Sequence, residues 1–333
     1  MSGGVVVAVV GAASEVGREI PTVLEARGIE VADLRLYDTT DEADADTEAA
    51  GEPLLPAEAI DFEGVDVAFL CGPAAQTREL AERAIESGAL VIDLTETLTA
   101  ADVPLIVPEV NADAVEEGIG RGVYACPTPG ATALAVVLKP LEDAAELRRV
   151  AVTAFEPTST AGTPGVDELA QQSRQLLTGE SAEVKVFPQR IAFNLIPKVG
   201  DFAVGGRTRA EWELERQTRQ ILSLADLPLI VTCVQTPTFY GQAYSILVET
   251  ERPLDLDAAR AVLRAAPGVL LADDDEYPTL ADVVGSDATH IGRLRDDPTV
   301  PHGLAMWVVI DGLRKGGATN AVQIAELALR ARG

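Results

Sequence analysis

The chain opens with a compact apolar block, VVVAVV at Val5–Val10, and similar short blocks recur at intervals. LRLY (Leu34–Tyr37), VDVAFL (Val65–Leu70) and LVIDL (Leu90–Leu94) have the same unbroken character. Such runs predict strands buried on both faces. Between them lie segments with helical periodicity, Gly17–Arg27 and Gln76–Ser87. The alternation over roughly the first 125 residues predicts a parallel, doubly wound sheet. DTTDEADADTE, Asp38 to Glu48, carries six acidic residues in eleven and predicts a solvated loop.

From about Ala151 the pattern changes to longer strands with wider connections. RRVAVTAF, LPLIVTCVQT and AYSILVETE predict one mixed or antiparallel sheet with a single buried face. Helices are expected at Val166–Leu177, Thr208–Leu224 and Leu256–Ala266, and the last segment, GGATNAVQIAELALRARG, is expected to form an amphipathic helix.

A length of 333 residues suits two domains, each with its own core. The net charge of −27 makes nucleic acid and anionic membranes poor partners, because both need clustered cations. Acidic solubilisation and a saline environment both account for that charge. Cys71, Cys126 and Cys233 form no CxxC pair and imply neither a disulfide framework nor a metal site. Cys71 and Cys233 read as small core residues on strands, and Cys126 as a half-buried thiol at a strand end. No apolar run approaches the ~18 residues of a membrane span. No signal peptide precedes Val5, so a cytoplasmic setting is expected.

VVGAASEVGREI places Gly11, Ser14 and Gly17 at the spacing of a GxxGxxG turn. The first glycine allows the tight bend and the last allows close helix–strand packing. The middle position is where a phosphate approaches the backbone. Ser14 occupies that position, and its side chain is expected in the approach path. A carboxylate such as Glu15, ~5 Å from a bound pyrophosphate, costs roughly 1–3 kcal/mol. The expected cofactor-binding residues are Gly11, Ala13, Ser14, Glu15, Val16, Gly17, Asp38 and Asn320. NAD(H) or NADP(H) is the cofactor class, bound weakly or not at all. Asp38, ending the second strand, favours the ribose diol of NAD.

Several blocks together resemble the aspartate-semialdehyde dehydrogenase family. They are GAASEVGREI, VPLIVPEVN, LKPL, RIAFNLIP, SDATHIGRLRDD and GLAMWVVIDGLRKGGATNAVQIAELAL, in the right order and nearly end to end. The resemblance implies a Rossmann-type doubly wound parallel sheet with an inserted α+β dimerisation domain. Residues 1–128 with a C-terminal helix at 317–333 would form the nucleotide-binding-type domain. Residues 129–316 would form the substrate and dimerisation domain, and a homodimer is implied.

In that family a cysteine attacks the aldehyde and hydride passes from the thiohemiacetal to NADP. Phosphate then releases the acyl group as an acyl phosphate. Counting back from LKPL, the cysteine position falls on Pro129, which follows the helix-capping Thr128. The glutamine position falls on Glu156, the carboxylate-binding arginine on Gln235 and the histidine base on Gln242. The phosphate-binding arginine falls on Thr99, and a second cation on Glu213. Proline has no reactive atom, and a carboxamide does not shuttle protons at neutral pH. No catalytic residue and no metal ligand is therefore expected.

With Asp93 and Glu96 nearby, Glu156 would make the cleft acidic. His290 and His302 read as packed or surface imidazoles. The leading expectation is a non-catalytic, Usg-like homologue acting as a dimeric binding or scaffold protein, with a small molecule as possible ligand of the remnant cleft. The alternative is an NAD(P)-dependent oxidoreductase of altered specificity, acting on an aldehyde or oxo group in amino-acid biosynthesis. Asn320 and Gln323 favour the alternative. An acyl-phosphate reductase for another acid fails for want of the same cysteine and histidine.

Overall fold

The computed structural model describes residues 4–39, 48–49, 51–98 and 103–332. Most of the acidic loop, residues 40–47, and Thr99 lie outside the described residues. The chain divides into two compact units, Met1–Thr128 with Gly316–Gly333, and Pro129–Lys315.

The first unit runs β1 (Val5–Val10), α1 (Glu15–Ala26), β2 (Val31–Tyr37), a small hairpin of β3 (Glu48–Ala49) and β4 (Glu52–Pro53), β5 (Val67–Leu70), α2 (Ala74–Glu86), β6 (Leu90–Asp93), two short helices α3 (Pro108–Asn111) and α4 (Val115–Gly118), and β7 (Val123–Ala125). The sheet order is β2-β1-β5-β6-β7, every pairing parallel. It is the doubly wound sheet that the apolar blocks predict. Alternate residues of β1 explain the two layers. Val7 and Val9 pack with Ile20, Val23 and Leu24 of α1, whereas Ala8 and Val10 pack with Leu80, Ala81 and Ala84 of α2. Each such aliphatic side chain contributes roughly 1.5–3 kcal/mol by leaving water.

The second unit contains α5 (Pro129–Ala145), β8 (Leu147–Glu156), α6 (Gly162–Leu177), α7 (Arg209–Leu222), β9 (Leu229–Gln235), β10 (Gln242–Thr250), α8 (Leu256–Ala265), β11 (Val269–Leu271), β12 (Thr289–Asp297) and β13 (Gly303–Ile310). Its sheet order is β11-β12-β13-β10-β8-β9, mixed in direction: β8 and β9 are parallel, as are β11 and β12, and the remaining pairings are antiparallel. Thr208 starts α7 with a capping box closed by Glu211. Glu211 and Glu215, both buried, accept the amides of Cys233 and Val231, which satisfies donors on the edge strand β9. The chain then returns to the first unit as α9 (Thr319–Arg332), whose Ala321, Val322, Ile324 and Ala325 join the α1 side of that core.

Several boundaries differ from the periodicity. α1 begins at Glu15 rather than Gly17, because Ser14 caps it. β2 begins at Val31, where pairing with Val5 extends it beyond LRLY. α6 begins at Gly162 rather than Val166, continuing a 3-10 turn at Thr158–Ala161 despite two glycines and a proline. Asp38 and Thr39, expected to open a solvated loop, are buried, and the amide of Asp38 donates to the Leu55 carbonyl.

Candidate functional site

In the first unit the carboxyl ends of β1 and β5 form a topological switch point, since the chain leaves them toward opposite edges of the sheet. Gly11 lies at the end of β1 with φ +83°, a left-handed conformation. A Cβ there would sit 2.4 Å from the Gly72 nitrogen, so the two turns approach backbone to backbone. A Cβ on Gly17 would sit 2.3 Å from the Gly11 carbonyl oxygen, which fixes glycine at that spacing too.

The structure corrects the expectation for Ser14. Its hydroxyl donates to the Gly11 carbonyl at 2.7 Å and accepts from the Gly17 amide at 3.1 Å. The side chain is folded into the turn as an N-cap, not held out in front of it. Ala13, Glu15 and Val16 are half-buried along the same turn. Arg18, on the first turn of α1, adds a residue that the glycine spacing does not point to. Its guanidinium Nε donates to the Ala13 carbonyl at 2.9 Å, which sets a cation beside the turn.

Asn320 is fully buried on α9. Its Nδ2 donates to the Ile106 carbonyl at 2.9 Å and lies 3.9 Å from the Cys126 sulfur, while Oδ1 has no partner among the described residues. Gln323 donates to Glu109 at 2.9 Å. Cys126 is buried rather than half-buried, and it belongs to the core beneath α9. Burial, then the neighbouring Cys126 and Asp93, push the Cys71 thiol far above its ordinary range. Asp93 is wholly buried, and its carboxylate accepts the amides of Thr95 and Leu98.

In the second unit the positions named by the resemblance converge at one end of the sheet. Glu156 ends β8, Gln235 ends β9 directly beside it, and Gln242 begins β10. Gln242 Nε2 donates to Glu156 Oε2 at 2.5 Å, and both side chains are buried. A Cβ built on Gly312 would lie 2.7 Å from Gln242 Oε1 and 3.5 Å from the Pro129 Cβ, so Pro129 and Gln242 are neighbours. Gln242 Oε1 has no hydrogen-bond partner among the described residues.

Gln235 turns its amide to backbone, donating to the Glu156 and Pro157 carbonyls at 3.0 and 2.6 Å. Glu213 accepts both Nε and Nη2 of Arg216. Burial, then Glu156 and Cys233, hold the Tyr244 phenol well above its ordinary range, so it stays protonated. Burial and the carboxylates of Glu156, Glu211 and Glu215 raise the Cys233 thiol in the same way.

Neither histidine takes a base's place in that pair. His290 lies on β12, lines a cavity of about 470 Å³ with Tyr277 and Asp282, and holds the Ser286 hydroxyl at 2.7 Å through Nε2. His302 sits exposed in a left-handed turn. Among the described residues no group of three or more His, Cys, Asp or Glu side chains is placed to hold a metal. No helix among them is long and apolar enough to cross a membrane. Chemically, the second-unit cluster can offer a carboxylate, a carboxamide and a phenol for hydrogen bonding.

The comparisons with known proteins agree with this two-part build. The family model described as "Semialdehyde dehydrogenase, NAD binding domain" matches residues 6–118, and "Semialdehyde dehydrogenase, dimerisation domain" matches residues 138–315. The chain is 37% identical to a protein named aspartate-semialdehyde dehydrogenase from Aquifex aeolicus, covering 97% of this chain and 98% of that one. It is 36% identical to a protein named USG-1 protein homolog from Azotobacter vinelandii, covering 99% of each. Among solved structures, aspartate semialdehyde dehydrogenase II from Vibrio cholerae superposes with a TM-score of 0.94 at 36% identity, covering 98% of each chain.

Proposed function

The chain belongs to the semialdehyde dehydrogenase family, and we propose that it is a non-catalytic, Usg-like member acting as a dimeric binding or scaffold protein. The chain is about equally similar to proteins named aspartate-semialdehyde dehydrogenase and to one named USG-1 protein homolog. The reading rests on the residues. The observation that carries it is the buried bond from Gln242 to Glu156 beside Pro129. Two side chains on positions meant for a base and a carbonyl-orienting group are bonded to each other, and the nucleophile's position holds a proline. Loss of a covalent nucleophile alone raises a barrier by on the order of 8 kcal/mol.

The first unit supports a dinucleotide as ligand. Gly11 and Gly72 bring bare backbone to the switch point, Ser14 leaves the turn open, and Arg18 supplies a cation. A bound NAD(P) would be held by the turn from Gly11 to Gly17, with Asp38 toward the ribose. Asn320, enclosed behind Ile106 and Cys126, would act by shaping the wall of that unit. The same intact turn favours the second reading, an NAD(P)-dependent oxidoreductase of altered specificity. The proposal includes a homodimer in the cytoplasm with neither nucleic acid nor membrane as partner.

Two assays test this. Aspartate semialdehyde with NADP and phosphate should give no nucleotide reduction above blank, and sustained protein-dependent reduction would sink the non-catalytic reading. A thermal-shift titration with NAD, NADH, NADP and NADPH tests the second reading, since a bound ligand raises the melting temperature with its excess over Kd. If no nucleotide shifts the transition at millimolar concentration, the oxidoreductase reading falls.

A further inference from the structure

We propose that a cavity beside α7 is a binding site for a small organic anion that carries a flat ring. Trp212, Arg216, Arg219 and the C-cap Ser223 recur every three or four residues and so share one face of the helix. Together with Arg207, from the segment before α7, they line a cavity of about 530 Å³, a volume typical of small-molecule sites. Pro129, Glu156, Gln235 and Gln242 take no part in that lining, so the cavity is separate from the cluster described above.

The first observation is charge. The chain carries 26 basic side chains against 53 acidic ones, yet three guanidinium groups line this one cavity. Their acidic partners are two, Glu213 and Glu215. Glu215 is buried and shared: it accepts the Val231 amide and lies 3.6 Å from Arg207 and 3.7 Å from Arg219. Three cations against two carboxylates leave a positive site in a chain of net charge −27. A concave positive site gathers anions. The C-terminal end of a helix disfavours them, and Arg219 in the last turn of α7 offsets that.

The second observation is how the donors are held. Arg219 donates Nε and Nη2 to the Leu227 and Leu229 carbonyls at 2.9 and 2.8 Å. Arg216 donates Nε and Nη2 to Glu213 and Nη1 to Gln220. These bonds fix both guanidinium planes and leave hydrogens on their Nη atoms for a ligand. Donors fixed before contact lose little freedom on binding. The Arg207 guanidinium makes no hydrogen bond among the described residues, and its side chain is 48% exposed.

The third observation is Trp212, which is 45% exposed with the Arg216 guanidinium 5.6 Å from its ring centroid. An indole left so far in water beside fixed cations offers apolar surface to a flat ring. A ring-bearing anion covers that surface while its charge meets the guanidinium groups. Neither a neutral ring nor a bare anion does both.

Tryptophan fluorescence of the full chain tests this, with phenyl phosphate, benzoate, phenol and inorganic phosphate as titrants. The chain has two tryptophans, so Trp212→Phe leaves Trp307 alone and should abolish the response. The binding variant is Arg207→Gln, and the control is Arg252→Gln, an exposed arginine paired with Glu146. Circular dichroism melts confirm that each variant folds. The expected result is saturable quenching by phenyl phosphate or benzoate with a Kd of about 1 mM or tighter; the tighter of the two names the anionic group as phosphate or carboxylate. Affinity should fall at least about 10-fold in Arg207→Gln, which loses a charge-assisted hydrogen bond, and stay unchanged in Arg252→Gln. Phenol and inorganic phosphate should each bind at least about 10-fold more weakly than the better anion, since each lacks one half of the contact. No saturable quenching by either ring-bearing anion up to about 10 mM, or equal affinity in Arg207→Gln, overturns the site. Phenol or inorganic phosphate binding as tightly as the ring-bearing anions overturns the ligand class.

Discussion

Replacing Gln242 by alanine separates a structural pair from a catalytic remnant. In the structure Nε2 of Gln242 reaches Glu156 Oε2 at 2.5 Å, and both residues are buried. Removing the amide takes a donor from a buried carboxyl group, which costs about 1.5–3 kcal/mol when the bond is charge-assisted. The lost side-chain volume adds to that cost, on the order of 1 kcal/mol for a partly collapsed cavity. Against it, Gln242 Oε1 is an unsatisfied buried acceptor, and its removal returns about 1 kcal/mol.

The net expectation is a loss of about 2 kcal/mol, or a fall of roughly 4–8 °C in the transition of a unit this size. Differential scanning calorimetry of wild type, Gln242→Ala, Glu156→Gln and the double variant gives the coupling directly. A coupling of at least about 1.5 kcal/mol is predicted. Residues retained for chemistry commonly cost stability, so their removal stabilises the fold. A Gln242→Ala variant that melts above wild type, or a coupling below about 0.5 kcal/mol, would refute the reasoning.

Three further outcomes are expected. Gly17→Ala should lower the first unit's transition and weaken any nucleotide-induced shift, because its Cβ would meet the Gly11 carbonyl oxygen at 2.3 Å; overpacking of this kind costs about 1–3 kcal/mol, and a melt unchanged from wild type would contradict it. Folded wild-type protein should show no thiol reacting with an aromatic disulfide within minutes, since Cys71, Cys126 and Cys233 are all buried; Pro129→Cys should add one reactive thiol at the half-buried start of α5, and fast labelling of Cys126 in wild type would contradict the account. Burial, only partly opposed by Asp282, holds His290 below its ordinary 6.5, so the unfolded chain binds the proton more readily; that component of stability is present above pH 6.5 and declines as pH falls below it. Melting profiles from pH 8 to 5.5 should therefore fall less steeply for His290→Asn than for wild type, and parallel profiles would refute this.

Much of the fold was legible because apolar runs and helical spacing report burial directly. Val5–Val10 reads as a strand covered on both faces, and its alternate residues do feed two separate cores. The helix expected from Thr208 does start there, with Thr208 as its N-cap. Side-chain tasks set by the folded geometry of a turn were not legible, even where the partners are close in sequence. Ser14 looked like an obstruction because spacing cannot show that its hydroxyl turns back to Gly11 and Gly17. Asp93 looked like part of an acidic cleft, and only the fold shows its oxygens bound to Thr95 and Leu98. Arg18 was hidden for the same reason, although a cation one turn into the first helix after a glycine turn is a usable signal. The support of residues 185–192 was hidden because it comes from Glu168 and Gln172, whose partners lie 17 to 20 residues away.

Intact-mass spectrometry after incubation with aspartate semialdehyde and NADP, with phosphate withheld, tests the central claim most directly. A working thiol would trap the substrate as a thioester, because the acceptor that releases it is missing. The account predicts an unchanged protein mass and no reduced nicotinamide. One added acyl group per chain, mapped to a cysteine and discharged on adding phosphate, would contradict it.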